Sequence, residues 1–326
     1  MRGVLLLFLD GVGIGAPDPD HNPFFRARLP NLSRLLGGTL PSLAAPRIDR
    51  DGRQRGTAGE AARDRTSAHS DEIGLREAAA IPLDALLGVD GTPQSGTGQA
   101  TLLTGHNAAR EFGRHFGPWV PVSLRPMVEN ENLLVRALRS GQSAAFANAY
   151  PRNWPGPGGS RRVAAPPLAA RGAGLLTRDH RHLRSGRAVS SEMVNDGWQR
   201  HLGFVDLPEV TVEGAGETLG GLAGAHRLTL YAHYATDTAG HRGGMEGAVT
   251  ALERVDGFLG GVLRTLPDDH LLVVASDHGN IEDVRGGHTR NPALCLLVGP
   301  GAVPRSRDLR DLTDVSPRIL QWLEDE

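Results

Sequence analysis

Three aspartates and three histidines of this 326-residue chain stand in short contexts that suit metal-assisted chemistry. Asp10 ends the apolar run 4–9 and is followed by Gly11-Val12-Gly13. Asp237 and His241 stand four apart in Asp237-Thr238-Ala239-Gly240-His241. Asp277 and His278 follow the apolar run 271–275 and Ser276, with Gly279-Asn280 behind them, and His288 comes ten residues after His278. Carboxylate and imidazole ligands without thiolate suit Mn²⁺ or Zn²⁺, and imidazole argues against Mg²⁺ alone. Two such ions can clamp the attacking and leaving oxygens of an in-line displacement, which is the chemistry of phosphoryl transfer. Any one of these fragments is compatible with a turn or a helix cap. The argument rests on their joint occurrence.

A nucleophile is available in Pro93-Gln94-Ser95-Gly96-Thr97-Gly98-Gln99. A helix starting near Gly96 would put Ser95 at its N-terminus, where backbone N–H groups favour a phosphate. An ordinary serine cap would look the same in isolation.

These residues need elements to carry them. Runs of strand length occur at 4–9, 143–147, 228–233, 271–275 and 293–298, and helices are expected at 31–36, 132–140, 246–266 and 314–324. The long helix is amphipathic, with Val249, Leu252, Val255, Leu259 and Val262 three or four apart. Alternating strands and helices predict an α/β fold, a doubly wound, mostly parallel sheet with ligands beyond the carboxyl ends of its strands. Asp10, Asp237 and Asp277 all fall at or just past such ends. Two segments interrupt this pattern. Residues 47–68 read as a polar excursion, and residues 150–204 as a small inserted lid. The core would then be 1–149 and 205–326.

The composition limits the partners. Net charge is −2, so nothing drives the chain toward nucleic acid or anionic membrane. All 35 basic residues are arginine, so an anion-binding cation here must be a guanidinium. The single cysteine, Cys295, excludes an internal disulfide and reads as a buried strand residue. The run 4–9 is too short to span a membrane and carries no cleavage pattern, so a cytoplasmic location is expected.

The motifs resemble the alkaline phosphatase superfamily, and within it the branch of cofactor-independent phosphoglycerate mutase and phosphopentomutase. The resemblance lies in Leu9-Asp10-Gly11-Val12-Gly13-Ile14-Gly15, in Asn22-Pro23-Phe24 through Leu35, and in Ser95-x-x-Gly98. It continues in Asp237-x-x-Gly240-His241, Asp277-His278-Gly279-Asn280 and Gly286-Gly287-His288-Thr289. Gln99 stands where the mutases usually have histidine. The resemblance implies two divalent ions, one held by Asp237, His241 and His288, the other by Asp10, Asp277 and His278 with Ser95 reaching toward it. It does not cover 47–68 or the lid.

Three functions remain open. The first is a phosphohydrolase working through a phospho-Ser95 intermediate on a phosphorylated small molecule. It is favoured because the lid is short and holds no lysine, whereas a mutase must enclose its intermediate. The second is a phosphomutase. The third is a non-catalytic metal-binding protein, although no ligand is missing. A sulfatase is disfavoured, since the Ser95 loop lacks the Cys/Ser-x-Pro-x-Arg pattern. Arg110, Arg114 and His115, just after the Ser95 helix, are candidate substrate contacts, and lid arginines 161, 162, 178, 181 and 184 could grip an anion. The substrate and the oligomeric state are not specified by any motif.

Overall fold

The computed structural model describes residues 2–49, 76–156 and 162–324. Most of the excursion expected at 47–68 lies outside these residues, as do residues 157–161 of the expected lid. Among the described residues the strands are β1 (Gly3–Leu9), β2 (Ile48–Asp49), β3 (Ala78–Leu83), β4 (Ala144–Phe146), β5 (Leu228–His233), β6 (His270–Ser276) and β7 (Ala293–Val298). They form one seven-stranded sheet in the order β2-β3-β7-β6-β1-β5-β4. Strand β1 pairs in parallel with β5 and β6, and β4 in parallel with β5. The pairs β6–β7, β7–β3 and β3–β2 are antiparallel. The expected, mostly parallel sheet is therefore a mixed one. Strands β1, β3, β4, β5 and β6 share a direction, and β7 and β2 oppose it.

β1 shows why the sheet must be covered twice. Val4, Leu6 and Phe8 belong to one apolar cluster, and Leu5, Leu7 and Leu9 to another. Successive side chains of a strand point to opposite faces, so an unbroken apolar run needs a layer on each side. Helix α1 (Ser95–Thr104), helix α2 (Ala165–Gly172), helix α3 (Val212–Ala223), helix α4 (Ala235–Arg242), helix α5 (Gly244–Thr265) and helix α6 (Leu312–Glu324) supply much of this cover. Leu102 and Leu103 of α1, Leu168 of α2 and Ile319 of α6 belong to the same apolar cluster as Leu6. Leu219 of α3 with Phe258 and Val262 of α5 belong to the same cluster as Leu7. Cys295 is buried in β7, and burial pushes its thiol up to about 12.

The segment 150–204 divides in its packing. Helix α2 contributes Ala165, Leu168, Ala169 and Ala170 to the main core. Farther along, Leu183, Ala188 and Trp198 form a small cluster of their own with Ala149 and Leu207. Among the described residues no helix is long and apolar enough to cross a membrane.

Candidate metal centre

β6, β1 and β5 are neighbours, so their carboxyl ends deliver Asp277, Asp10 and, through α4, Asp237 to one short stretch of rim. The reversal at β7 adds the last group. Because β7 runs antiparallel to β6, the connection 277–292 never leaves that rim, and His288 sits within it. β3 also ends there, with Leu83 opposite Ala293, and the chain that follows leads into Ser95 at the start of α1.

The atoms converge on His278. Its Nε2 lies 3.0 Å from Ser95 Oγ, 3.4 Å from Asp10 Oδ1 and 3.5 Å from Asp277 Oδ2. Donor atoms of Asp10, Asp277 and His278 all fall within 4.8 Å of one another, and so do those of Asp237, His278 and His288. His288 Nε2 is 3.3 Å from Asp237 Oδ1, while its Nδ1 donates to Pro93 O at 3.0 Å, which fixes the tautomer that leaves Nε2 facing inward. Spacing four places Asp237 and His241 on one face of α4, with His241 Nε2 3.5 Å from Asp237 Oδ2. His241 stands at the outer edge of the cluster, its ring 4.8 Å from that of His288. The two triplets thus share His278, where the resemblance implied His241 for one of them.

The motif glycines have a steric reason. A Cβ on Gly98 would meet Asp277 O at 2.8 Å, so Ser-x-x-Gly lets α1 lie against the Asp277 turn. A Cβ on Gly11, at φ 68°, would meet Asp237 Oδ1 at 2.5 Å. A Cβ on Gly240 would meet the Asn280 side chain at 2.7 Å. Asn280 uses that space to donate to Asp237 Oδ1 at 2.6 Å.

The donor set fits divalent cations on two grounds. Asp10 Oδ1 and Asp277 Oδ2 are buried with no hydrogen-bond partner, an arrangement that is costly unless a cation joins them. The second ground is charge. Burial, with the Asp10 carboxylate beside it, pushes Asp277 up to about 8. Burial and nearby Asp237 hold Asp10 well above the usual carboxylate range. Burial also acts on Asp237, but His288, His278 and Asn280 outweigh it and bring this group down to about 2. Two buried carboxyls pushed upward side by side are what a site built for a positive charge would produce.

Ser95 is 3% exposed. The first turn of α1 is less open to an anion than expected, since Thr97 donates to Phe116 O and Gly98 to Gln94 O. Gln99, in the place of the mutases' histidine, donates to Asp10 Oδ2 at 3.0 Å and accepts from Ala165 N at 3.3 Å, tying α2 to the cluster. Arg110, Arg114 and His115 lie elsewhere. Arg114 rests on the rings of Phe112 and Phe116, His115 meets Val89 O, and none of the three lines the cavities beside Ser95. Among the lid arginines, Arg178 is bonded to backbone carbonyls, Arg181 to Asp179 and Arg184 to Asp206. Arg162 does line a cavity next to Ser95. Arg161 lies outside the described residues.

One residue that no motif singled out is Glu282, 1% exposed. Its carboxylate accepts from Gly13 N, Asn280 N, Thr289 Oγ1 and Asn291 Nδ2, joining the loops that bear Asp10, His278 and His288. The only signal was its place two residues after Asn280.

Residues 221–324 match the family model described as the metalloenzyme superfamily. A segment of 95 residues is 38% identical to 2,3-bisphosphoglycerate-independent phosphoglycerate mutase of Desulforudis audaxviator, covering 27% of this chain and 19% of that protein. A segment of 130 residues is 37% identical to the protein of the same name from Thermomicrobium roseum, covering 36% of this chain and 24% of that one. The chain thus spans a quarter or less of the length of these curated relatives. Alkaline phosphatase from the Antarctic bacterium TAB5 shares the fold over 99% of this chain and 98% of its own, with a TM-score of 0.51 at 10% identity. The fold is α/β and like that of alkaline phosphatase, and residues 221–324 carry the likeness to the metalloenzyme superfamily.

Proposed function

We propose that this chain is a metal-dependent phosphoryl-transfer enzyme that hydrolyses phosphoesters through Ser95. The observation that carries the reading is the contact of Ser95 Oγ with His278 Nε2, 3.0 Å, at the edge of a cluster holding two unpartnered carboxylate oxygens. Asp237, His241 and His288 on one side, and Asp10, Asp277 and His278 on the other, would hold two divalent ions, Mn²⁺ or Zn²⁺. When bound, such ions supply charge neutralisation for the transferring oxygens and lower the pKa of the nucleophile. The chain's own groups do the rest. Ser95 Oγ forms a bond to phosphorus as the bond to the alcohol oxygen breaks, and the serine proton leaves with the alcohol. Water then attacks phosphorus, the Ser95 O–P bond breaks, and a proton returns to Oγ. Asn280 and Glu282 hold the surrounding carboxylate and loops in place, and residues 150–204 act as the lid.

Hydrolysis is preferred over mutation because the site opens into a groove of about 900 Å³ that carries His241, Arg242 and His288 on its wall, giving water access to the phosphoenzyme. The names of the curated relatives favour the second reading, a phosphomutase. The test is phosphate release from phosphomonoesters and diesters by Mn²⁺- or Zn²⁺-loaded protein, with mass spectrometry of acid-quenched enzyme. Phosphate release and a phosphoryl adduct on Ser95, both abolished in Ser95→Ala, are expected. Full activity in Ser95→Ala would remove the covalent step. Isomerised sugar phosphate or phosphoglycerate without phosphate release would replace hydrolysis by mutation.

A further inference from the structure

A second cavity of about 250 Å³ adjoins the groove and shares Ser95, Trp119 and Asp237 with it. Asp10 lines it as well, together with Tyr150, Trp154, Tyr234 and Arg162. The chain has 4 Trp and 3 Tyr. Four of these seven residues line this one cavity, drawn from three separate segments. No helical or strand periodicity puts them together.

Two of them rest on rings of the core. Tyr150 stacks on core Phe146, with ring centroids 6.0 Å apart, and Tyr234 meets core Phe8 edge-on at 6.1 Å. Trp154 stands at 72° to Tyr150 with centroids 5.3 Å apart and Arg171 lies over its ring at 5.8 Å, so the two aromatic rings make a corner in the wall. Trp119 is 39% exposed and lines both this cavity and the groove beside it. Aromatic walls of this kind gain most from a flat π-bearing guest, which can stack on one ring and meet another edge-on. A short acyclic acid would leave the corner unfilled. The volume lies just below the ~300–1,000 Å³ of ligand pockets in general, room for one ring system and little more.

On the reading that Ser95 accepts a phosphoryl group, we propose that this cavity is the subsite for the organic group of the substrate, and that this group carries a planar aromatic ring, such as an aryl group or a nucleobase. Arg162 is placed to meet the negative charge next to it.

Equilibrium binding separates this from differences in leaving-group reactivity. Benzylphosphonate and propylphosphonate would be titrated into Mn²⁺-loaded Ser95→Ala, read by quenching of tryptophan fluorescence, with calorimetry as a second signal. Benzylphosphonate is expected to bind about tenfold tighter or more, the size of one good ring stack. In Trp154→Ala, and separately in the more exposed Trp119→Ala, the ratio should fall toward unity. Near-UV circular dichroism would establish that each variant is folded. Equal binding of the two phosphonates would overturn the subsite and leave the phosphoryl-transfer reading intact. Tighter binding of a short carboxy-phosphonate would overturn it in favour of an acidic acyclic substrate. Failure of both phosphonates and inorganic phosphate to bind the loaded protein would remove the underlying reading and the subsite with it.

Discussion

Glu282 shows how much of the centre depends on a side chain that is not itself a candidate ligand. Four donors from two loops meet its two oxygens, and glycines make the space. A Cβ on Gly13 would come within 2.4 Å of the Glu282 carboxyl carbon, and one on Gly279 within 2.3 Å of Oε1. Glu282→Gln keeps the shape but turns one acceptor into a donor that must face N–H or O–H groups. Leaving such groups buried and unsatisfied costs about 1–3 kcal/mol. The variant should therefore unfold at lower urea and bind Mn²⁺ about 10- to 100-fold more weakly, as expected for a group that orients ligands from behind. Unchanged denaturation and unchanged Mn²⁺ affinity would show that the knot is incidental. At this scale the sequence was legible where chemistry is local to a motif. Asp10, Asp237, Asp277, His278, His288 and Ser95 come together as their contexts suggested. Glu282 and Gln99 were not legible as partners, because what matters is what their side chains reach, 269 residues away for Glu282 to Gly13 and 66 for Gln99 to Ala165. Arg110, Arg114 and His115 do not line the cavities beside Ser95, although the chain just after them does, through Pro118 and Trp119. Closeness in sequence to Ser95 does not say which residues of the following loop turn back to it.

Elements were legible in proportion to their apolar signal. The strands at 228–233 and 293–298 fall where the apolar runs stand. β3 was hidden because Ala78-Ala79-Ala80-Ile81-Pro82-Leu83 has little β propensity and contains proline. With β3 unseen, the antiparallel half of the sheet could not be anticipated, although it is the reversal at β7 that keeps His288 on the rim. α3 was hidden by its glycines, and the structure gives them different reasons. A Cβ on Gly216 would meet Phe258 O at 2.2 Å, so that glycine lets α3 lie directly on α5. Gly221 has nothing within 4 Å of such a Cβ. Gly221→Ala should accordingly stabilise the protein by about 0.5–1 kcal/mol through helix propensity alone. Gly216→Ala should destabilise it by about 1–3 kcal/mol through overpacking. Urea denaturation of the two variants checks both signs, and equal effects would mean that the α3–α5 contact is looser than its backbone distances indicate.

For the whole molecule, the buried charges couple folding, protons and metal. In the metal-free protein Asp277 titrates at about 8, against roughly 3.9 for an unfolded aspartate. The folded state therefore holds more protons than the unfolded one across that interval, and stability falls as pH rises through it. His233 acts in the opposite direction. Burial lowers it to about 4, with its Nδ1 donating to Ser191 O, against roughly 6.5 when unfolded. Its contribution is present above about 6.5 and is lost as pH falls toward 4. The two effects oppose each other between pH 4 and 6.5. Between about 6.5 and 8 only the carboxylate effect remains, on the order of 1–2 kcal/mol for Asp277. Divalent ions reverse its sign, because they bind the deprotonated carboxylates and displace protons on binding. Thermal melting from pH 6.5 to 8 should show Tm falling in the presence of chelator. With saturating Mn²⁺ it should stay level or rise, so that the gap between the two curves widens with pH. A gap that stays constant or narrows would mean that the metal is held by groups other than the buried cluster of Asp10 and Asp277. In that case the unpartnered oxygens of these two residues would need another explanation.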